Sequence, residues 1–182
     1  MGLTTADNYY LKAKAACGDY SSDWGEACEA SNYALSYDEN HGASLCLLGE
    51  IYAKHLSQFD KAYECFDRLI ATNINYVEVY PLYAKYLIWG DEIKRAEKLV
   101  EFALSIKAID ESQLHWLSAY IEETKGNYKK SLKYLKKAKT LTYNEYYFGF
   151  MEDEEQRIKK KIKLLKPKKK SKSSRKKYAK KK

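Results

Sequence analysis

The side chains able to do covalent or metal chemistry are few in this chain, and they are scattered. His41, His55 and His115 are its imidazoles, and none has a nucleophile or an orienting carboxylate at the spacing of a catalytic triad. Cys17, Cys28, Cys46 and Cys65 form no CxxC pair and no zinc-ligand spacing. Set among apolar positions of helical period, they read as small hydrophobes, reduced and buried in a cytoplasmic protein. No glycine-rich phosphate loop, HExxH or calcium loop occurs. The acids from Glu152 to Glu155 could hold a cation, but acids at a helix start are already explained by the macrodipole. These residue types point away from an enzyme, and imply no cofactor, no metal and no small-molecule substrate.

Charge is the chemistry that remains. The chain carries 33 Lys and Arg against 25 Asp and Glu, a net charge of +8. That total hides two objects: residues 157–182 hold 16 basic side chains and no acid, which leaves residues 1–156 at −8. Like-charged blocks repel themselves and act as solvated interaction tails. The candidate polyanion-binding residues are Lys168, Lys169, Lys170, Lys172, Arg175, Lys176, Lys177, Lys180, Lys181 and Lys182. They are joined by Lys129, Lys130, Lys133, Lys136 and Lys137 upstream, where no acid intervenes. Only Tyr178 could stack on a base, so the expected mode is phosphate neutralisation without sequence preference. RNA, DNA and an acidic protein stay open as partners, with nucleic acid favoured. A lipid surface fits less well, because beyond Leu165 the only apolar residues larger than Ala are Pro167 and Tyr178. Pro167–Lys172 also reads as a nuclear localisation signal should the source be eukaryotic.

These groups need a scaffold. With 182 residues, 45% of them apolar, two Pro and eight Gly, the chain suffices for one helical domain with a core. No stretch approaches the roughly 18 apolar residues of a membrane span, and Met1–Tyr10 lacks the basic start and apolar run of a secretory signal. The decisive pattern is a repeat. Trp24, Phe59, Ile93 and Tyr128 are spaced by 35, 34 and 35 residues. Ala27, Ala62, Ala96 and Ser131 keep the same intervals. So do Ser31, Phe66, Val100 and Leu135, and again Ala34, Leu69, Ala103 and Ala138. Offsets of 0, 3, 7 and 10 make one face of a helix. A second series lies upstream: Leu48, Tyr83 and Leu117, then Gly49, Ala84 and Ser118, then Tyr52, Leu87 and Ile121. It marks the inner face of a preceding helix with one small residue for close packing. Short turns such as Trp89-Gly90-Asp91 and Lys125-Gly126-Asn127 join the two.

This pattern resembles the tetratricopeptide repeat family, most legibly in Leu48-Gly49…Tyr52…Phe59…Ala62…Phe66…Leu69 and its counterpart from Tyr83 to Ala103. It departs from the family in a longer first turn, Gly18 to Asp23, and in lacking the repeat-terminal proline. The resemblance implies an all-α right-handed solenoid with a concave groove lined by the first helix of each pair. Its inward positions fall here on Glu50 and Lys54, on Lys85 and Trp89, and on His115, Trp116 and Glu122, the candidate protein-binding groove. Trp89 and Trp116 read equally well as core residues bridging repeats. The positions with which some members clamp a chaperone carboxylate are Cys46, Glu50, Leu82, Ser112 and Trp116 here, so no cationic clamp is expected.

The expected architecture is about four helix pairs over residues 1–142 (5–38, 41–73, 76–108 and 110–142). A capping segment and helix follow over 143–166, then a disordered Lys-rich tail over 167–182. In the cap, Ile158, Ile162 and Leu165 form the covering stripe, and Tyr143–Phe150 packs between repeat four and the capping helix. The expected function is a non-catalytic adaptor that holds a protein partner, a peptide or a helix, in its groove while the tail adds polyanion affinity. The alternative is a nucleic-acid- or ribonucleoprotein-associated protein in which the tail and fourth repeat are the primary site.

Overall fold

The structure is a computed structural model that describes residues 2–18 and 22–165; the Lys-rich segment 167–182, with the candidate polyanion-binding residues assigned to it, lies outside them. The described residues form nine helices and no strand: α1 (Thr5–Ala16), α2 (Trp24–Tyr37), α3 (Gly42–Lys54), α4 (Phe59–Thr72), α5 (Val79–Trp89), α6 (Ile93–Ala103), α7 (Glu111–Thr124), α8 (Tyr128–Leu141) and α9 (Glu145–Leu165).

The recurring residues set the helix boundaries. Trp24, Phe59, Ile93 and Tyr128, the first positions of the repeat, each open the second helix of a pair. Two residues before three of those starts the backbone turns left-handed, at Ser57 (φ 54°), Asp91 (φ 63°) and Gly126 (φ 77°). Glycine occupies only the last of these, so Ser57 and Asp91 adopt a conformation that costs a residue with a Cβ something. The turn persists because it closes the preceding helix: Glu92 N–H reaches Leu87 O and Asn127 N–H reaches Glu122 O, both at 2.8 Å. Several helix starts are capped by side chains. Thr4 and Asp7 cap α1 reciprocally, Asp23 accepts from Glu26 N–H, and Asp110 from Gln113 N–H.

Packing follows the same period. Within each pair the helices lie side by side, successive pairs stack, and the odd-numbered helices meet one another, α1 on α3, α3 on α5 and α5 on α7. Three of the four recurring series are buried in every copy, from Ala27, Ser31 and Ala34 through to Ser131, Leu135 and Ala138, while the helix-opening series Trp24, Phe59, Ile93 and Tyr128 is half-buried. No pair could bury such a face alone; stacking makes the core continuous. The main core runs from α3 to α7. A second cluster of Ala119, Leu135, Ala138, Met151 and Ile158 joins α7, α8 and α9, and Trp116 borders both.

The capping region departs from expectation. Residues 145–150 are not a separate packing segment but the first turns of α9 itself. Asn144 caps that helix by accepting from Tyr147 N–H at 2.9 Å, and nothing in the sequence breaks it before Leu165. Tyr147, Met151, Ile158 and Ile162 pack inward, whereas Tyr143 and Tyr146 stand in solvent and Leu165, expected in the covering stripe, is two-thirds exposed. Leu165 is the last residue of α9 and, with Ile162, borders an open pocket at Gly126–Lys130 rather than a packed neighbour, so little of it is covered. The four cysteines are half-buried and unbridged. Burial, with Glu50 and Glu78 adding, pushes the Cys46 thiol up to about 12, and burial holds the other three up as well, so none is a ready nucleophile.

Candidate protein-binding groove

The last turns of α3, α5 and α7 point their outer residues to one face of the solenoid, and α9 closes that face at its C-terminal end. Glu50 is half-buried and accepts a hydrogen bond from Tyr86 Oη at 3.2 Å. Lys54, the last residue of α3, is exposed. Lys85 lies with its Nζ 4.7 Å from the centre of the Trp89 ring and 5.1 Å from that of Tyr86, a cation–π arrangement that orients an otherwise free indole. Burial lowers the Lys85 pKa, opposed by Glu50 and aided by Lys54. Trp89 itself is 49% exposed and meets Tyr86 edge-on at 5.4 Å.

An open cavity of about 500 Å³ begins at Trp89 and extends past Trp116, Tyr120 and Glu123 of α7 to Phe150, Glu154, Arg157 and Lys161 of α9. Trp116 lies parallel to Tyr120, with centroids 6.2 Å apart, and edge-on to Phe150 at 5.6 Å. The two tryptophans therefore differ. Trp89 presents its ring to the groove, while Trp116 both borders the core and lines the cavity.

Beneath this aromatic shelf is an ionic clasp. Glu123 is 7% exposed; it accepts from Arg157 Nη2 at 2.7 Å and from Lys161 Nζ at 2.6 Å. Arg157 also donates from Nε to Glu154 at 2.9 Å. Burial alone would raise the Glu123 pKa, but the hydrogen bonds and charges of Arg157 and Lys161 outweigh it and hold the carboxyl below its usual range.

Two expected groove residues lie elsewhere. His115 is 3% exposed between α7 and α8, its ring parallel to that of Tyr134 at 6.0 Å, and neither ring nitrogen has a hydrogen-bond partner among the described residues. Glu122 is buried at the end of α7, holding Lys130 at 2.7 Å and Asn127 at 2.9 Å. It faces a second open cavity of about 520 Å³ between α6 and α8, on the opposite side. The cause is helical geometry: at 100° per residue, His115 and Glu122 flank the Leu114, Ser118 and Ile121 packing face, whereas Trp116, Tyr120 and Glu123 share the outward row. Tyr120 was missed because only its i+4 relation to Trp116 marks it. Phe150, Arg157 and Lys161 were missed because they belong to α9, outside the repeat. The other histidines are also structural: His41 caps α3 and contacts Asp7 at 3.2 Å, and His55 stacks on Trp24 at 3.5 Å.

His115 gives the fold a pH response. Burial, then Lys137, lowers its pKa below the ordinary 6.5, against a smaller upward pull from Glu111, whose Oε2 lies 3.9 Å from Nε2. A depressed histidine favours folding fully above pH 6.5, and that contribution is lost as pH falls toward the folded value, because the unfolded chain binds the proton first. Thermal melts of the wild type at pH 7 and pH 5 should therefore show a loss of stability on acidification that His115→Phe reduces. An equal loss in both proteins would refute it.

No protein-family model matches the sequence, and no curated protein matches it. Solved structures do. PilF of Pseudomonas aeruginosa superposes with a TM-score of 0.72 at 14% identity, over 87% of this chain and 69% of that one. A MamA structure superposes with a TM-score of 0.66 at 16% identity, over 87% and 88%. MamA from Desulfovibrio magneticus RS-1 gives 0.65 at 18%, over 90% and 94%. At such identities the likeness concerns the fold. Paired helices opening on Trp24, Phe59, Ile93 and Tyr128, and this shared architecture, make the chain a helical solenoid of the tetratricopeptide-repeat type.

Proposed function

We propose that this protein is a non-catalytic scaffold that holds a segment of a partner protein against the face lined by α3, α5, α7 and α9. The observation that carries this reading is the open cavity in which Trp89, Trp116, Tyr120 and Phe150 offer aromatic surface beside the charges of Lys85, Arg157 and Lys161. Exposed aromatic anchors ringed by polar groups are the composition of an interaction hot spot. The known folds it resembles are consistent with that use. A partner residue entering the cavity would bury its apolar surface against the indoles, with Glu50, Lys54 and Lys85 ordering the segment beyond.

The test is Trp89→Ala in the full chain. Because the indole is half-exposed, stability should change by less than about 1 kcal/mol. Partners captured by the wild type after nuclease treatment should be lost, a truncation being expected of at least tenfold in affinity. Partners retained at unchanged affinity by a folded Trp89→Ala protein would defeat the reading.

A second reading adds polyanion affinity on the same chain. It is supported by α8, which carries six lysines and no acid, leading toward the basic residues 168–182. Two weak sites on one chain raise avidity through effective concentration.

A further inference from the structure

The net charge of the paired helices climbs along the solenoid. Residues 5–38 carry −4, 41–73 carry −1, 76–108 are neutral and 110–142 carry +3. The increase ends in α8, where the six lysines are not equivalent. Two are used internally: Lys130 pairs with buried Glu122, and Lys139, only 15% exposed, pairs with Glu155 at 2.5 Å. The remaining four, Lys129, Lys133, Lys136 and Lys137, are exposed and make no salt bridge among the described residues. Ser131, Leu135 and Ala138 mark the buried face of α8. Lys129, Lys133 and Lys136, spaced i, i+4 and i+7, form one ridge opposite it, and Lys137 stands beside that ridge. No carboxylate lies on α8 to neutralise it.

We propose that the outward ridge of α8 is a docking surface for a nucleic-acid duplex, gripped through its phosphates. This deepens the polyanion reading above, and rests on it, by assigning the contact to a folded helix. Three features favour a duplex among polyanions. The ridge itself, Lys129, Lys133, Lys136 and Thr140, carries no exposed aromatic side chain on which an unpaired base could stack; the exposed rings of Tyr143 and Tyr146 lie beyond the end of α8. Leu135 and Ala138 of α8 are buried, and Tyr128, Leu132 and Tyr134 pack partly against the same cluster, so the lysine ridge has no apolar face beside it to sink into a lipid surface. The ridge lysines, three or four residues apart at about 1.5 Å of rise per residue, form a fixed row of cations that meets a duplex's fixed row of phosphates, about 3.4 Å apart along the axis of one strand, without the ordering cost that a flexible acidic peptide would bring. Recognition through lysine alone, without the planar fork of arginine, is phosphate contact without base readout.

The experiment uses the full chain and a short labelled DNA or RNA duplex of arbitrary sequence, titrated at several salt concentrations. Lys129, Lys133, Lys136 and Lys137 are changed together to Gln, which keeps helix propensity, and circular dichroism checks the fold. A companion variant changes Lys168, Lys169, Lys170 and Lys172 to Gln and reads the terminal segment separately. The α8 variant should lose up to about 3.6 from the log–log salt slope, about 0.9 for each of four phosphate contacts removed, with duplex affinity falling at least tenfold at physiological salt. An unchanged slope in the α8 variant, with a reduced slope in the companion, would overturn the α8 site while leaving the terminal polyanion reading intact. No duplex binding by the wild type at low salt would overturn both. Phosphatidylserine vesicles and polyglutamate serve as competing probes. If either binds the wild type more tightly than the duplex, and loses that binding in the α8 variant, the assignment to nucleic acid is wrong.

Discussion

Phe66→Ala should lower the stability of the solenoid by about 3–5 kcal/mol, the range for emptying a fully buried aromatic site. The ring is 0% exposed, 5.0 Å from Tyr83 and 6.1 Å from Tyr86 by centroid. It lies so close to α3 that a Cβ placed on Gly49 would come within 2.7 Å of it. Phe66 thus fills the space where α3, α4 and α5 converge, and the aromatic rings around it are too large to collapse into the gap. For a chain of this length the loss corresponds to roughly 10 °C in the melting temperature, read by far-UV circular dichroism. Because each repeat is stabilised by its neighbours, weakening the second should also broaden the transition. A loss below about 1 kcal/mol would mean that this junction repacks freely.

Arg157→Ala should release α9 from α7 at a cost of about 2–3 kcal/mol. Removing one partner from a buried ion pair leaves an uncompensated charge and costs up to about 5 kcal/mol. The smaller figure applies here because Arg157 is over one-third exposed and Lys161 remains on Glu123. The effect should be local. Hydrogen exchange should accelerate across α9 and the end of α7, with α1 to α6 unchanged. Arg157→Lys should recover only part of the loss, since an ammonium cannot bridge Glu123 and Glu154 with a planar fork. The same substitution opens the groove, because Arg157 and Phe150 form the α9 wall of the cavity. If exchange in α9 is unchanged in Arg157→Ala, the apolar contacts of Met151 and Ile158 hold the helix, and the clasp is incidental.

These two substitutions mark different depths of legibility. That position 66 faces inward follows from the series Ser31, Phe66, Val100 and Leu135, since a 34- or 35-residue recurrence on one helical face has few explanations other than burial. That Phe66 would rest against Gly49 does not follow, because the slot is formed by a neighbouring helix whose approach depends on everything packed around it. The ion clasp on Glu123 was less visible still. Its partners lie 34 and 38 residues further on in a helix outside the repeat, and no spacing rule connects them.

The amino-acid order alone determined the helix pairing, the residues at which the second helices begin and the inward series, because these depend on periodicity and on local turn geometry. It also determined the opposed charges of body and terminus, which are sums over the chain and need no folding. Only the tertiary structure decided which residues line the open face. One residue of rotation, 100° about a helix axis, buries His115 against Tyr134 and leaves Trp116 and Tyr120 on the cavity wall. Such a rotation is set by the summed packing of neighbouring helices rather than by any residue's own preference. It likewise decided that α9 extends back to Glu145 and closes the groove. The contacts that hold it there, Trp116 to Phe150 and Glu123 to Arg157, join residues brought together only when the last repeat has stacked.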